Sequence, residues 1–340
     1  MKILVTGAAG FIGSNFVNFI LNKSDHTVIA LDCLNYASDI NNLKRYINNS
    51  NRFEFIHASI DDAEVLKSLN YEIVVNFAAE THVTRSILDS RNFILNDVLA
   101  TDTLLRTSIF NKKLKLFIHI STSEVYGSCD NNKKKMDEHH SLNPLSPYAA
   151  AKCGGDRLVY SYGKTYDFPF CILRPFNNYG PFQHLEKVIP RFLTSVINNE
   201  KITIHGDGSS KRDFIHVRDT CEAIYKVIEK YNSKKILNQT FNIGTGECLS
   251  VNQIAKTIIK NTNYNKKQIE FIINRPGQVG KHWCNYKKFS QTFNWKPKIK
   301  FKDGIVDTYK WYLENEDWWK NKIVQQRVRI VMPDGKIIYH

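Results

Sequence analysis

The sequence predicts an α/β protein, a Rossmann-type doubly wound parallel sheet with a smaller C-terminal substrate-binding lobe. Three observations lead there. From residue 2 onward, short apolar runs alternate with longer segments of helical period, the pattern of successive βαβ units. The runs Ile73-Val74-Val75-Asn76-Phe77 and Leu116-Phe117-Ile118-His119-Ile120 are apolar on both faces, as strands covered by helices on each side must be. A glycine-rich turn, Gly7-Ala8-Ala9-Gly10-Phe11-Ile12-Gly13, follows the first run and opens a segment of helical period.

In order along the chain, strands are expected at 2–6, 27–31, 53–57, 73–77, 115–120 and 169–173, and helices at 11–22, 62–68, 89–110 and 147–166. After Pro175 the alternation becomes irregular, with glycine-rich turns at 206–208 and 244–246 and a Pro-Gly turn at 276–277. The sheet domain is therefore assigned to 1–175, with returns near 212–230 and 239–243, and the lobe mainly to 176–318. Residues 319–340 form an extension. Its alternating residues flank Pro333-Asp334-Gly335, which reads as a β-hairpin.

Composition narrows the class. The chain has 340 residues, 42% of them hydrophobic and 24% charged, ordinary values for a folded globular protein. Its net charge of +14 could serve nucleic acid, a membrane surface or an anionic small molecule. The densest run, Lys133-Lys134-Lys135, is followed at once by Asp137 and Glu138 and has no interleaved aromatics, so it reads as a solvated loop rather than a nucleic-acid strip. Seven cysteines with no C-x-x-C pair point to reduced thiols, with neither a metal site nor a disulfide framework. No apolar run approaches the ~20 residues that span a bilayer, and the amino terminus lacks a signal-peptide layout. A cytoplasmic protein with no membrane or nucleic-acid partner is expected. Helices 89–110 and 147–166 carry Ile94, Leu95, Leu104, Leu105, Leu158 and Val159, which either cover the sheet or build a homodimer.

The glycine-rich turn lies between the strand and helix that dinucleotide binding demands. There Gly7 permits the bend, Gly10 lets backbone approach a pyrophosphate on the helix amino terminus, and Gly13 lets the helix pack on the strand. The next strand ends at Asp32, placed either to accept hydrogen bonds from an adenosine ribose or to cap a loop. An acid there repels a 2′-phosphate, and Cys33 and Leu34 follow with no adjacent Arg, so the expected cofactor is NAD rather than NADP.

Ser121-Thr122-Ser123-Glu124-Val125-Tyr126-Gly127 follows strand 115–120, at the carboxyl edge where doubly wound sheets place ligands. Tyr148 and Lys152 begin a later helix at i, i+4, on one face. An ammonium near a phenol favours the phenolate and makes Tyr148 a usable base.

The glycine-rich turn, the Ser/Thr/Glu cluster and Tyr148-x-x-x-Lys152 together resemble the extended short-chain dehydrogenase/reductase family. Asn76-Phe77-Ala78-Ala79-Glu80-Thr81-His82-Val83, Asn177-Asn178-Tyr179-Gly180-Pro181, Glu186-Lys187-Val188-Ile189-Pro190, Arg212-Asp213-Phe214, Phe241-Asn242-Ile243-Gly244 and Arg275-Pro276-Gly277 narrow the resemblance to the nucleoside-diphosphate-glucose 4,6-dehydratases, over residues 2 to 318. The resemblance implies a cofactor site of Gly7, Gly10, Phe11, Ile12, Gly13, Asp32, Leu34, Ser59, Ile60, Ala78 and Ala79 together with Tyr148 and Lys152. It implies a nucleotide-sugar site of Glu80, His82, Thr122, Asn177, Lys187, Val188, Arg212, Asn242 and Arg275. In the implied cycle, Tyr148 takes the sugar O4 proton with Thr122 on O4, Lys152 holds the nicotinamide ribose, and Glu124 takes the C5 proton before water leaves C6.

The chain departs from that family at several positions. Ser123 stands where the dehydratases usually carry the Asp that protonates the departing hydroxyl, and Thr-Ser-Glu also resembles the UDP-glucuronate decarboxylases. Nucleotide-sugar 4-epimerases share the Tyr/Lys oxidation as well. Ser59 replaces an Asp at the adenine, Thr84 an Asp after His-Val, and Gln278-Val279-Gly280 a His-Asp-Arg run, so the nucleotide base stays open.

Overall fold

The computed structural model describes residues 1–129, 134–262, 269–274, 279–326, 328–331 and 337–339. Its main sheet has seven parallel strands: β1 Lys2–Thr6, β2 Thr27–Asp32, β3 Phe53–His57, β4 Ile73–Asn76, β5 Leu116–Ile120, β6 Phe170–Pro175 and β7 Gln239–Ile243. Their order is β7-β6-β5-β4-β1-β2-β3, so the chain reverses its direction of travel between β1 and β4. A crevice opens at that switch point, outside the carboxyl ends of the strands.

Both faces of the sheet are covered, which is why β1 and β4 to β7 are buried over most of their length. On one face Phe16, Val17 and Ile20 of the Phe11–Lys23 helix pack with Ile224 and Val227 of the Val217–Glu229 helix. Phe289 and Phe293 of the Lys287–Phe293 helix join them, so this segment belongs to the sheet and not to the lobe. On the other face Leu104, Leu105 and Val159 are fully buried against Phe117 and Phe170. These three residues are therefore core and are not available to a partner. Ile94, Leu95 and Leu99 stay 49%, 40% and 54% exposed.

The helix expected at 89–110 forms in three parts: α-helix at Arg91–Ile94, a π turn at Leu95–Leu99 and α-helix again at Ala100–Ile109. The widened turn carries Asp97, a buried carboxyl. Such turns recur at functional sites. The Pro147–Tyr166 helix starts cleanly because Ser146 accepts a hydrogen bond from Ala149 N at 3.1 Å and Pro147 needs no donor of its own.

The lobe has a separate core. Helices Val188–Ile197, Val251–Lys260 and Phe301–Glu314 enclose it beside a parallel pair of short strands, Ile202–His205 and Ile269–Ile272. Trp319 closes it, fully buried, with its indole donating to Tyr312 O at 2.8 Å. In the extension Arg329–Val331 pairs antiparallel with Ile337–Tyr339 and lies beside the Val83–Leu88 helix, while the turn at Pro333-Asp334-Gly335 falls outside the described residues. No described helix is long and apolar enough to cross a membrane.

One ion pair ties the Pro147–Tyr166 helix to the sheet. Arg174 on β6 donates from Nε to Asp156 Oδ2 at 2.8 Å and from Nη2 to Oδ1 at 2.9 Å, with both side chains buried. Burial alone would raise the Asp156 carboxyl, but the hydrogen bonds and charge of Arg174, helped by Arg157, hold it well below the ordinary carboxylate range. A carboxyl depressed in the folded state contributes stability that is complete above its unfolded value of 3.8 and is lost as pH falls below it. Asp156→Ala leaves the guanidinium buried without its carboxylate and should cost about 3–5 kcal/mol in urea unfolding at neutral pH. The deficit should shrink below pH 3.8. A loss near zero at neutral pH would mean that the pair does not hold the helix.

Candidate active site

The crevice at the switch point is a cavity of about 430 Å³ between the sheet edge and the lobe. Its inner end is built by the glycine-rich turn. Gly7 has φ +62°, and a Cβ there would fall 2.7 Å from Ala78 N. A Cβ on Gly13 would fall 2.1 Å from Gly7 O, so the helix can approach β1 only because this residue has no side chain. Gly10 caps the helix without a side-chain hydrogen bond, leaving the first-turn amides to face an anion.

Gly7, Gly10, Phe11, Ile12 and Gly13 all line the cavity, as do Asp32, Ser59, Ile60, Ala78 and Ala79. Asp32 accepts from Ala9 N and Leu34 N, each at 2.8 Å. It thus ties the loop, and each oxygen keeps a lone pair for a ribose hydroxyl. Leu34 does not line the cavity. Its φ of 53° turns it away, and its side chain packs on the core while Asn35, Ala37 and Ser38 take the wall.

Thr122, Ser123, Glu124, Tyr148 and Lys152 meet on one wall. Thr122 caps a single 3-10 turn, Ser123–Tyr126, accepting from Glu124 N at 3.2 Å, and its hydroxyl stands close enough to the Tyr148 phenol to draw its pKa down. Lys152 is buried and donates to Ile120 O at 2.9 Å. The expected effect of this ammonium on the phenol is not met by the protein's own groups. Burial pushes the Tyr148 phenol well up, the Asp97 carboxyl adds to that, and only Thr122 opposes it.

Asp97 sits behind this wall. Its Oδ1 accepts from Glu80 N at 2.7 Å, and burial pushes the carboxyl up to about 7 against the pull of the Lys152 charge. Burial likewise lowers Lys152, while Asp97 and Asp156 raise it. Glu80 is held by Asn35 and Asn96, whose amides donate to Oε1 at 3.2 and 3.1 Å.

Of the residues expected at a nucleotide sugar, Glu80, His82, Asn177, Lys187, Val188 and Arg212 line the cavity. Lys187 also donates to Thr81 O at 2.6 Å. Asn242 is not there. It is fully buried, donating to Met136 O at 3.1 Å and accepting from the Tyr126 hydroxyl at 2.7 Å, so it ties β7 to the Ser123–Tyr126 turn and the segment at Met136 instead of lining the cavity. Arg275 lies outside the described residues.

Sequence reading missed several residues in or directly behind the wall. Arg191, one helical turn beyond Lys187, lines the lobe side, where burial lowers its guanidinium to about 10 and leaves it charged at neutral pH. Glu186 is buried with Arg85 Nε at 3.0 Å, and His82 Nε2 and His184 Nδ1 stand 3.9 and 3.5 Å from its oxygens. His282, from a distant strand, places Nδ1 3.6 Å from Glu124 Oε1. The Lys187–Arg191 spacing and the His184–Glu186 neighbours were available locally; the contacts of Glu186 with His82 and Arg85 and of Glu124 with His282 cross the chain.

The Asp97 carboxyl, raised to about 7, keeps its proton in the folded state at a pH where the unfolded chain, at 3.8, has lost it. Stability should therefore fall as pH rises from about 4 to about 7 and level off above. Asp97→Asn, which keeps an acceptor for Glu80 N, should flatten that decline in thermal unfolding scans. It should also shift the pH at which Tyr148 loses its proton downward. An unchanged stability profile would count against the buried carboxyl as its source.

The comparisons agree with this geometry. A family model described as GDP-mannose 4,6 dehydratase matches residues 4–308. The low-salt glycan biosynthesis protein Agl12 of Haloferax volcanii is 38% identical over 93% of this chain and 100% of its own length. DesIV, a dTDP-glucose 4,6-dehydratase from Streptomyces venezuelae solved with NAD bound, superposes with a TM-score of 0.89 at 34% identity, covering 94% of this chain and 99% of its own. A UDP-glucuronic acid 4-epimerase from Bacillus cereus, solved with UDP-glucuronic acid and NAD, gives 0.85 at 30% identity over 92% and 99%. With the glycine-rich turn, the Thr122/Tyr148/Lys152 wall and a match over most of its length, this chain belongs to the GDP-mannose 4,6-dehydratase family of extended short-chain dehydrogenase/reductases.

Proposed function

We propose that the protein is an NAD-dependent nucleotide-sugar 4,6-dehydratase, converting a nucleoside-diphosphate hexose to its 4-keto-6-deoxy form. One observation carries this reading: Glu124 faces the same cavity wall as the Thr122–Tyr148 pair. Oxidation at C4 needs only the pair. A carboxylate beside it has a task when the neighbouring C5–H must also be removed.

Asp32 at the cavity wall supports NAD over NADP, as do the relatives solved with NAD. When bound, NAD would supply the hydride acceptor for C4 oxidation and the hydride donor for the return step. Tyr148 takes the O4 proton while Thr122 holds O4, and Lys152 binds the nicotinamide ribose. The new C4 carbonyl acidifies C5–H, which Glu124 removes as the C6 oxygen leaves as water. Lys187, Arg191 and Arg212 on the lobe side hold the diphosphate.

Ser123 favours a second reading. A decarboxylase needs no acid for a leaving hydroxyl, and the residue where that acid would stand is a neutral serine. The two readings separate by mass when the wild type is given nucleotide-glucose, nucleotide-N-acetylglucosamine and nucleotide-glucuronate. Loss of water from a hexose supports the dehydratase, loss of carbon dioxide from the glucuronate alone overturns it, and an unchanged mass indicates epimerisation. In Glu124→Gln, C4 oxidation should proceed while elimination falls by at least about 100-fold, so reduced nicotinamide accumulates.

We further propose a homodimer on the face that carries Ile94, Leu95 and Leu99, which the sheet leaves exposed. Leu99→Glu should shift the mass in solution from dimer to monomer. A monomeric wild type at micromolar concentration would overturn the assignment.

A further inference from the structure

The cavity wall has a fault at Ser123. A serine hydroxyl is too weak an acid to protonate a departing oxygen unless its own proton is replaced from behind. Behind it stands His282. This side chain is fully buried, and its Nδ1 lies 3.5 Å from Ser123 Oγ and 3.6 Å from Glu124 Oε1. A single nitrogen thus faces both the group that takes the C5 proton and the group nearest the missing acid. The distances are at the long limit for hydrogen bonds, and such contacts tighten when a substrate closes the site.

The surroundings fix this ring. His282 O accepts from Asp213 N at 3.1 Å and from the Cys248 thiol at 3.1 Å, so the short strand Lys281–His282 is held from two sides. The Phe176 ring stands edge-on at 6.5 Å. Arg212, its register partner on the adjacent strand, lines the substrate cavity, so the histidine belongs to the frame of the site without lining it.

We propose that His282 is the positioning residue of the elimination step, carrying the proton from Glu124 to Ser123. Glu124 takes the proton from C5, and the C–H electron pair becomes the C5–C6 double bond as the C6–O bond breaks. The departing oxygen takes the Ser123 hydroxyl proton. His282 Nδ1, unprotonated at the start, takes the proton that Glu124 gathered, and the resulting imidazolium passes it from the same nitrogen to Ser123. His282 starts and ends neutral, water is released, and the step needs no outside acid or oxidant. The proposal rests on the dehydratase reading.

The test uses the NAD-loaded full-length enzyme and nucleotide-glucose in deuterated water. His282→Asn keeps a hydrogen-bonding atom near the Nδ1 position but cannot carry a proton through it. Reduced nicotinamide should form at close to the wild-type rate, and deuterium should enter C5 of recovered sugar because Glu124 still works. Product lighter by one water should fall by about 100-fold. Ser123→Ala, a milder change, should give the same exchange without elimination, and the double variant should be no worse than either alone because the two act in series. Product formation by His282→Asn within about threefold of wild type overturns the proposal. So does parallel loss of nicotinamide reduction and elimination in Ser123→Ala. If the wild type removes no water from any nucleotide hexose, the dehydratase reading falls and this proposal falls with it.

Discussion

The buried Asp156–Arg174 pair is the constraint on which the site depends. Asp156 lies one turn beyond Lys152 on the helix that also carries Tyr148, and Arg174 lies on β6, so their two parallel hydrogen bonds fix how far the helix slides along the sheet. The same guanidinium donates from Nη1 to the Tyr126 hydroxyl at 2.9 Å, and that hydroxyl donates to Asn242 Oδ1 at 2.7 Å. Through these contacts the helix, the Ser123–Tyr126 turn and β7 share one anchor. Packing alone tolerates small slips, since apolar contacts are non-directional. A bidentate ion pair does not, and here it sets Tyr148 against Thr122.

Close approach works with that anchor. Gly155, next to Asp156, has no Cβ, and one there would fall 2.5 Å from Asp97 O. The π turn at Leu95–Leu99 and the Pro147–Tyr166 helix can therefore touch backbone to side, which brings a buried carboxyl behind Lys152 and Tyr148. The widened turn, the missing side chain and the raised Asp97 carboxyl are one arrangement seen from three sides.

Features written locally were legible in the sequence, and those made by distant segments were not. Periodicity exposed the first six strands, and the glycine-rich turn, Thr122 to Glu124 and Tyr148 with Lys152 are short motifs whose neighbours in sequence are neighbours in space. Asn242 was misread because its motif says nothing of the Tyr126 hydroxyl and the Met136 carbonyl that bind it. Leu34 followed an acidic strand end as a cofactor contact would, yet a positive φ turned it to the core. His282 reaches the site from a strand whose approach is a tertiary fact, so no spacing could announce it, and the partner that holds Glu186, Arg85, lies equally far away in sequence.

Charge is sorted across the cleft in the same long-range way. The sheet edge contributes Asp32, Glu80 and Glu124 with the single cation Lys152, while the lobe contributes Lys187, Arg191 and Arg212 with the single carboxylate Glu186, which Arg85 pairs. A ligand with a sugar at one end and a diphosphate at the other meets hydroxyl acceptors and bases on the sheet and cations on the lobe. Four of the chain's cations, Lys152, Lys187, Arg191 and Arg212, thus face one cavity. For the proposed substrate, this distribution favours one orientation: a sugar diphosphate laid toward Glu80 and Glu124 would meet like charge, whereas one held by Lys187, Arg191 and Arg212 would leave C4 and C5 toward Tyr148 and Glu124.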